Sequence, residues 1–251
     1  MELALRGRTA LVTGASQGIG RCLARLLALE GVRVAAAARR VDLVRALAES
    51  TRDEGGADIE PLAIDLYEEG AGERLAGMAA KALGRIDILM NVAGGSRTLP
   101  MDADSGKWAE AMTLNFFRVR ELTHAVVPQM RQARWGRVVT FTGTSEPLTL
   151  NAASSAKAAV HAWSKSLSRE LGPDGVTVNC IQPGRIHSEQ ISRLYPTKES
   201  EERFAKEFLP LGRFGEPEEI ASLAVFLASP VAGYITGTVI PVDGGLKLYA
   251  H

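Results

Sequence analysis

The sequence predicts an α/β protein: a single doubly wound, Rossmann-like domain whose parallel sheet has about seven strands and helices on both faces. Three observations predict it. Short apolar runs alternate with longer amphipathic ones along the chain. The short runs are almost continuously apolar, as strands covered on both faces must be. No linker, low-complexity stretch or short-period repeat breaks the alternation, so the 251 residues read as one domain, 1–251.

Taken in order, Thr9-Ala10-Leu11-Val12 is a first strand that runs into Thr13-Gly14-Ala15-Ser16-Gln17-Gly18-Ile19-Gly20 and then a periodic segment, residues 21–27. Strand, glycine turn and helix together make a phosphate-binding hypothesis. Glycines turn tightly and admit a pyrophosphate where a Cβ would block it. A helix starting near Gly18 aims unpaired N–H groups and its positive dipole end at that anion. The spacing is G-x-x-x-G-x-G rather than G-x-G-x-x-G, and a glycine turn without a ligand is the plain alternative. Further strands are read at 32–38, 59–64, 86–92, 137–142, 176–181 and 238–242, and helices at 41–52, 70–83, 105–132, 152–171 and 217–227. Glu216-Pro217-Glu218-Glu219 marks a helix start, with proline and acids in the first turn. In such folds ligands sit at the carboxyl ends of the strands.

Lys+Arg and Asp+Glu are both 29, so the formal charge is zero, which argues against nucleic acid or an anionic membrane as partner. No apolar stretch approaches the roughly 18 residues of a membrane span. Met1 to Gly7 is too short and mixed for a signal peptide. The two cysteines, Cys22 and Cys180, make no metal-type spacing, so no metal is expected. Free thiols and a cytoplasmic location follow as expectations.

At the expected carboxyl ends stand Ile64-Asp65-Leu66, Asn91-Val92-Ala93-Gly94, Pro183-Gly184-Arg185-Ile186 and Pro241-Val242-Asp243-Gly244-Gly245, with Leu114-Asn115-Phe116 in a long helix. With the opening glycine run, their order and spacing resemble the short-chain dehydrogenase/reductase family over essentially the whole chain. The resemblance implies a nicotinamide dinucleotide and hydride transfer at a carbonyl or alcohol carbon of a small-molecule substrate. It implies that Gly14, Ser16, Gly18, Ile19 and Gly20 cradle pyrophosphate and ribose. Asp65 would accept from the adenine amino group, with the Leu66 backbone beside it. Asn91, Ala93 and Gly94 would line the ribose, and Pro183, Gly184, Ile186 and Ser188 would hold the nicotinamide carboxamide. Each has a structural alternative: Asp65 caps the next turn, or Asn91 ties two strands together.

After the second strand, an acid would bind the 2′-OH of NAD, whereas an arginine accommodates the 2′-phosphate of NADP. This chain reads Ala37-Ala38-Arg39-Arg40, with no acid until Asp42. A guanidinium grips phosphate with paired charge-assisted bonds. The expectation is NADP(H) rather than NAD(H), with Arg39 the main contact and Arg40 secondary; a solvated basic pair at a helix start is the alternative.

One departure stands out. Family members usually carry Tyr-x-x-x-Lys after the fifth strand, where the tyrosine is the general acid/base and the lysine lowers its pKa and holds the ribose. Here Lys157 fits the lysine, and the residue four before it is Ala153. The usual serine falls on Gly143, and the loop between is short. The chain therefore reads as an atypical member that keeps Asn115 and Lys157 for catalysis. Thr142, Thr144 or Ser145 would substitute for the serine. Ser154, Ser155, Glu146, His161, His187 and Tyr195 are candidate replacements for the tyrosine. Losing a general acid/base costs roughly 10²–10⁴-fold in rate.

Residues 187–212 read as a charged amphipathic lid over an apolar pocket. Trp108 and Trp163 are expected at the interface or in the core. The family resemblance implies a homotetramer, with a homodimer next. Three functions follow: an NADP(H)-dependent oxidoreductase with a rearranged proton donor, a cofactor-binding pseudoenzyme, or a non-redox enzyme using Lys157 and Asn115.

Overall fold

The computed structural model describes residues 2–96, 98–144 and 146–249. Its strands are β1 (Thr9–Thr13), β2 (Arg33–Ala38), β3 (Ile59–Ala63), β4 (Ile88–Asn91), β5 (Gly136–Phe141), β6 (Val176–Pro183) and β7 (Val239–Val242). They form one parallel sheet in the order β3-β2-β1-β4-β5-β6-β7. The chain winds outward from β1 to β3, then crosses back to lay β4 against the other side of β1. The carboxyl ends of β1 and β4 thus flank the point where winding reverses, which opens a crevice there.

Successive side chains of a strand point to opposite faces. Ala10 and Val12 of β1 join a core with helices α1 (Gly18–Leu29), α2 (Val41–Asp53) and α9 (Pro217–Ala228). Leu11 points into the other core, with helices α3 (Ala71–Leu83), α5 (Arg118–Gln132) and the end of α6 (Ala152–Leu171). Two covered faces explain why the strands read as nearly all apolar. β3, at the sheet edge, buries only Ile59 and Leu62 and contains Pro61, which an edge tolerates.

The segment expected as one helix, 105–132, is divided. Helix α4 (Ser105–Met112) passes into a π-helical turn, Thr113–Phe117, before α5 begins, and the Arg118 N–H reaches back to the Thr113 carbonyl. One extra residue per turn shifts the helix phase, which hydrophobic periodicity does not register. Asn115 lies inside this turn, 5% exposed. The expected lid contains two short helices, α7 (Glu189–Leu194) and α8 (Lys198–Phe208). They form a small core of their own, in which Ala205, Leu209 and Phe214 pack with Ile191, Tyr195, Phe204 and Leu246.

Candidate active site

The turn after β1 is shaped by its glycines. Gly14 sits at φ +70° and Gly18 at φ +52°, the left-handed region open to glycine. A Cβ on Gly20 would lie 2.4 Å from the Gly14 carbonyl oxygen, so α1 comes off the strand more sharply than any side chain permits. A Cβ on Gly14 would lie 3.0 Å from the Ala93 Cα, placing the turn directly on the loop after β4. Thr13 locks the two together. Its Oγ1 accepts the N–H groups of Val92 and Ala93, both at 3.0 Å, and donates to the Met90 carbonyl at 3.4 Å. Sequence reading passed over Thr13, whose role depends on a neighbour 80 residues away. α1 opens after Gln17 with no side-chain cap and no acid in its first turn. Its first N–H groups therefore lack side-chain acceptors, as a pyrophosphate cradle requires. Ser16 and Ile19 are half-buried in the same turn.

The structure gives the other residues expected at the cofactor mixed roles. Asp65 Oδ1 accepts the Tyr67 N–H at 3.0 Å, which is the turn-capping alternative; no hydrogen bond to its Oδ2 is seen among the described residues. The Leu66 carbonyl accepts from Arg118 Nε at 3.1 Å. Asn91 is 2% exposed and donates from Nδ2 to Thr123 Oγ1 at 3.1 Å and Thr140 Oγ1 at 3.3 Å, so it ties β4 to β5 and α5. Pro183 ends β6 rather than following it. A Cβ on Gly184 would lie 2.5 Å from the Asp243 Cα, so glycine is required where β6 and β7 both terminate. Ile186 is buried, and Ser188 caps α7 by accepting the Ile191 N–H at 3.3 Å. Arg39 and Arg40 are exposed at the start of α2. Arg39 has no ion pair among the described residues. Arg40 donates to Gln17 Oε1 and, at 3.2 Å, to Glu189 Oε1.

Around the switch point the loop after β4 brings Asn115 and Lys157 together. Asn115 Oδ1 accepts the Gly95 N–H at 3.1 Å, and its Nδ2 donates to the Ala111 carbonyl at 2.9 Å. A Cβ on Gly94 would meet that Oδ1 at 3.1 Å and Lys157 Nζ at 3.9 Å. A Cβ on Gly143 would meet Lys157 Cδ at 3.3 Å and Nζ at 3.6 Å. A side chain at 94 would thus crowd Asn115, and one at 143 would crowd the lysine. Burial holds the Lys157 pKa down to about 8. Ala153 is 2% exposed, and its methyl borders a small cavity shared with Tyr67, Gly95, Ala111 and Asn115. Tyr67 was not singled out from the sequence, because nothing local to it signals that β3 ends beside α4.

Most of the candidate substitutes are engaged elsewhere. Thr144 Oγ1 accepts the Glu146 N–H at 3.0 Å, and Ser145 lies outside the described residues. Thr142 Oγ1 donates to the Ile181 carbonyl at 3.2 Å, so its 2.8 Å contact with His161 has Nε2–H as the donor. The Glu146 carboxylate accepts the N–H groups of Leu248 and Tyr249 at 2.8 and 3.3 Å, holding the C-terminal tail. The Tyr195 hydroxyl accepts from Arg185 Nε at 3.1 Å, and its ring packs on Phe204 and Phe214, which anchors it inside the lid. His187 sits between Glu201 and Glu216, both at 2.8 Å. Ser154 is half-buried and Ser155 exposed. Trp108 packs against the cluster of Leu99, Ala111 and Ala152, and Trp163 meets Phe116 edge-to-face and His124 at a tilt. Cys22 and Cys180 are buried free thiols, and among the described residues no three His, Cys, Asp or Glu side chains are grouped to hold a metal ion.

Residues 14–247 match the family model described as enoyl-(acyl carrier protein) reductase. The 3-oxoacyl-(acyl-carrier-protein) reductase of Aquifex aeolicus is 34% identical, covering 98% of this chain and 100% of its own. The chain belongs to the short-chain dehydrogenase/reductase family. Two solved family structures superpose closely. L-sorbose reductase from Gluconobacter frateurii, complexed with NADPH and L-sorbose, has a TM-score of 0.93 at 29% identity, covering 99% of this chain and 100% of that one. A 7α-hydroxysteroid dehydrogenase complexed with NADH and 7-oxo glycochenodeoxycholic acid has a TM-score of 0.91 at 31% identity, covering 99% and 98%. Between them these two structures hold NADPH and NADH, so the shared scaffold accepts either dinucleotide.

Proposed function

We propose that the chain is an NADP(H)-dependent oxidoreductase that interconverts a carbonyl and an alcohol on a small molecule without a phenol four residues before Lys157. The observation that carries this reading is the convergence of an intact glycine turn, Asn115 and the pKa-depressed Lys157 at one end of the sheet. When bound, the dinucleotide supplies the hydride to the carbonyl carbon or takes it from the alcohol. The backbone from Gly14 to Gly20 holds the pyrophosphate, Arg39 meets the 2′-phosphate, and Asp65 takes the adenine amino group. Asn115 keeps Gly95, and with it the loop from Ala93 to Gly95, in place. Lys157, with a pKa near 8, holds a proton that it releases to the developing alkoxide oxygen, since general acids act best near the working pH. Thr144 belongs to the loop that would face the substrate oxygen, and Ser145 is assigned a part in holding that oxygen from its place in the sequence alone. Ala153 and Gly143 offer no exchangeable side-chain proton, and this is where the chain departs from its family's usual site.

The loops after β4 and β5 expose Met101, Leu148 and Leu150, which favours a substrate with an apolar portion. Given the Aquifex relative, 3-oxoacyl thioesters come first in a substrate panel, followed by ketoses and keto-steroids. No helix among the described residues is long and apolar enough to cross a membrane, and a cytoplasmic enzyme is the reading we adopt.

The test is titration with NADPH and with NADH, followed by nicotinamide fluorescence, then turnover of the panel. Preferential NADPH binding with turnover is expected. Arg39→Ala should weaken NADPH about tenfold while leaving NADH unchanged, the scale of one lost charge-assisted contact. Binding without turnover would move the protein to the second reading, a cofactor-binding sensor or partner subunit, which Ala153 and Gly143 specifically favour. Binding of neither dinucleotide would overturn both.

A further inference from the structure

Three segments distant in sequence meet at the mouth of the cofactor groove. Arg40, at the start of α2, donates from Nη1 to both Glu189 oxygens at 3.2 and 3.4 Å, and from Nη2 to Gln17 Oε1 in the glycine turn. Glu189 is the first residue of α7 in the lid. Its neighbour Ser188 reaches the turn as well, since a Cβ on Gly18 would lie 3.5 Å from the Ser188 Cβ. A protein carboxylate therefore occupies one of the two guanidiniums that follow β2, where a 2′-phosphate is to be recognised.

We infer that Glu189 is a specificity-determining residue, a carboxylate that competes with the 2′-phosphate of NADP(H) for Arg40. The inference rests on the NADP(H) reading and deepens it. The Arg40 and Glu189 side chains are 48% and 45% exposed, so water screens their pair and it is weak. A phosphate monoester brings nearly two negative charges and three acceptor oxygens, so it takes the guanidinium from a single carboxylate. Displacement strands no charge, because Glu189 already has Arg193 at 3.6 Å on its own helix. NAD(H) has no group there and leaves the pair closed. Removing Arg40 from Glu189 also unties α7 from the glycine turn. Cofactor identity and lid position are then coupled, and the coupling is reciprocal. Glu189 lies 149 positions from Arg40, and nothing in the local sequence of either shows the pairing.

Glu189→Gln in the full chain tests this, with NADPH and NADH titrated separately. The expected result is NADPH binding tightened about three- to tenfold with NADH unchanged, the signature of a removed repulsive competitor. In an Arg40→Met background the Glu189→Gln gain should vanish, because the two substitutions act on one pair. Equal tightening toward both cofactors would assign Glu189 to general lid closure, and an unchanged NADPH affinity would remove it from recognition; either overturns the inference. If wild-type protein binds no NADPH, the cofactor reading itself fails and this inference falls with it. If it binds NADPH and Glu189→Gln is silent, the inference alone fails.

Discussion

Lys157 shows how one residue's surroundings set its chemistry. It lies one helical turn past Ala153, beneath Gly143 and beside Gly94, where burial lowers its proton affinity to a pKa of about 8. In the proposed mechanism Lys157 gives up its proton during reduction, so turnover should fall as pH rises through that value, and Lys157→Met should abolish it across the pH range. The stability consequence has the opposite sense. The unfolded lysine keeps its proton up to a pKa near 10.5, so between about 8 and 10.5 the unfolded state binds more protons and stability rises with pH. Lys157→Met should therefore raise the thermal midpoint at neutral pH by a few degrees, because it removes a half-buried, desolvated ammonium that makes no ion pair among the described residues. A pH–rate profile of wild type and a melting curve of the variant check the two halves. A lowered midpoint would show that the ammonium is structurally satisfied. Position 157 was legible in the sequence as a lysine in the right place. Its pKa was not, since desolvation depends on Gly94 and Gly143, from other strands' loops.

At the scale of elements, the lid shows charge and packing working together. His187 lies in the loop after β6, with Glu201 of α8 on Nε2 and Glu216, which caps α9, on Nδ1. The hydrogen bond that His187 donates to Glu201 is the leading cause that raises its pKa; desolvation opposes it, and the bond to Glu216 adds to it. A raised folded pKa stabilises fully below the unfolded value of about 6.5 and is lost as pH rises through the folded value. The α8 end of the lid should therefore be held more firmly in mild acid. Limited proteolysis at Lys198 or Arg203 should run several-fold faster at about pH 8.5 than at about pH 6, and His187→Gln should flatten that difference. The packed rings of Tyr195, Phe204 and Phe214, with Arg185 over Phe204 at 4.8 Å, hold the lid by packing and set the floor. The charge pattern of residues 190–210 suggested an amphipathic lid. It could not show that the aromatics pack on each other, because both lid helices fold onto Phe214 from further along the chain.

At the scale of the whole molecule, the expected homotetramer remains our proposal for assembly. Leu248 and Tyr249 are 82% and 70% exposed at the end of a tail that Glu146 holds by its backbone, leaving their side chains free for a partner copy. Sedimentation should give four subunit masses, or two for the dimer; one subunit mass would refute assembly through this surface. The architecture itself was readable before any coordinate. Continuous apolar runs reported a sheet covered on both faces, and the glycine turn reported a strand-to-helix corner. Where reading failed, the cause was phase or distance. The π turn at Thr113–Phe117 leaves hydrophobic periodicity almost unchanged, so 105–132 read as one helix.

The sequence alone determined the winding of the sheet, the family, and the residues that crowd the crevice at its carboxyl end, because periodicity and turn chemistry act over a few neighbouring residues. Only the tertiary structure decided how those residues are occupied. It gave Asn91 to a tie between β4, β5 and α5 and Glu146 to the tail, and it set Arg40 against Glu189. These partners meet through the crossovers that return the chain to one end of the sheet, and no local pattern records which side chains those returns bring within hydrogen-bonding reach.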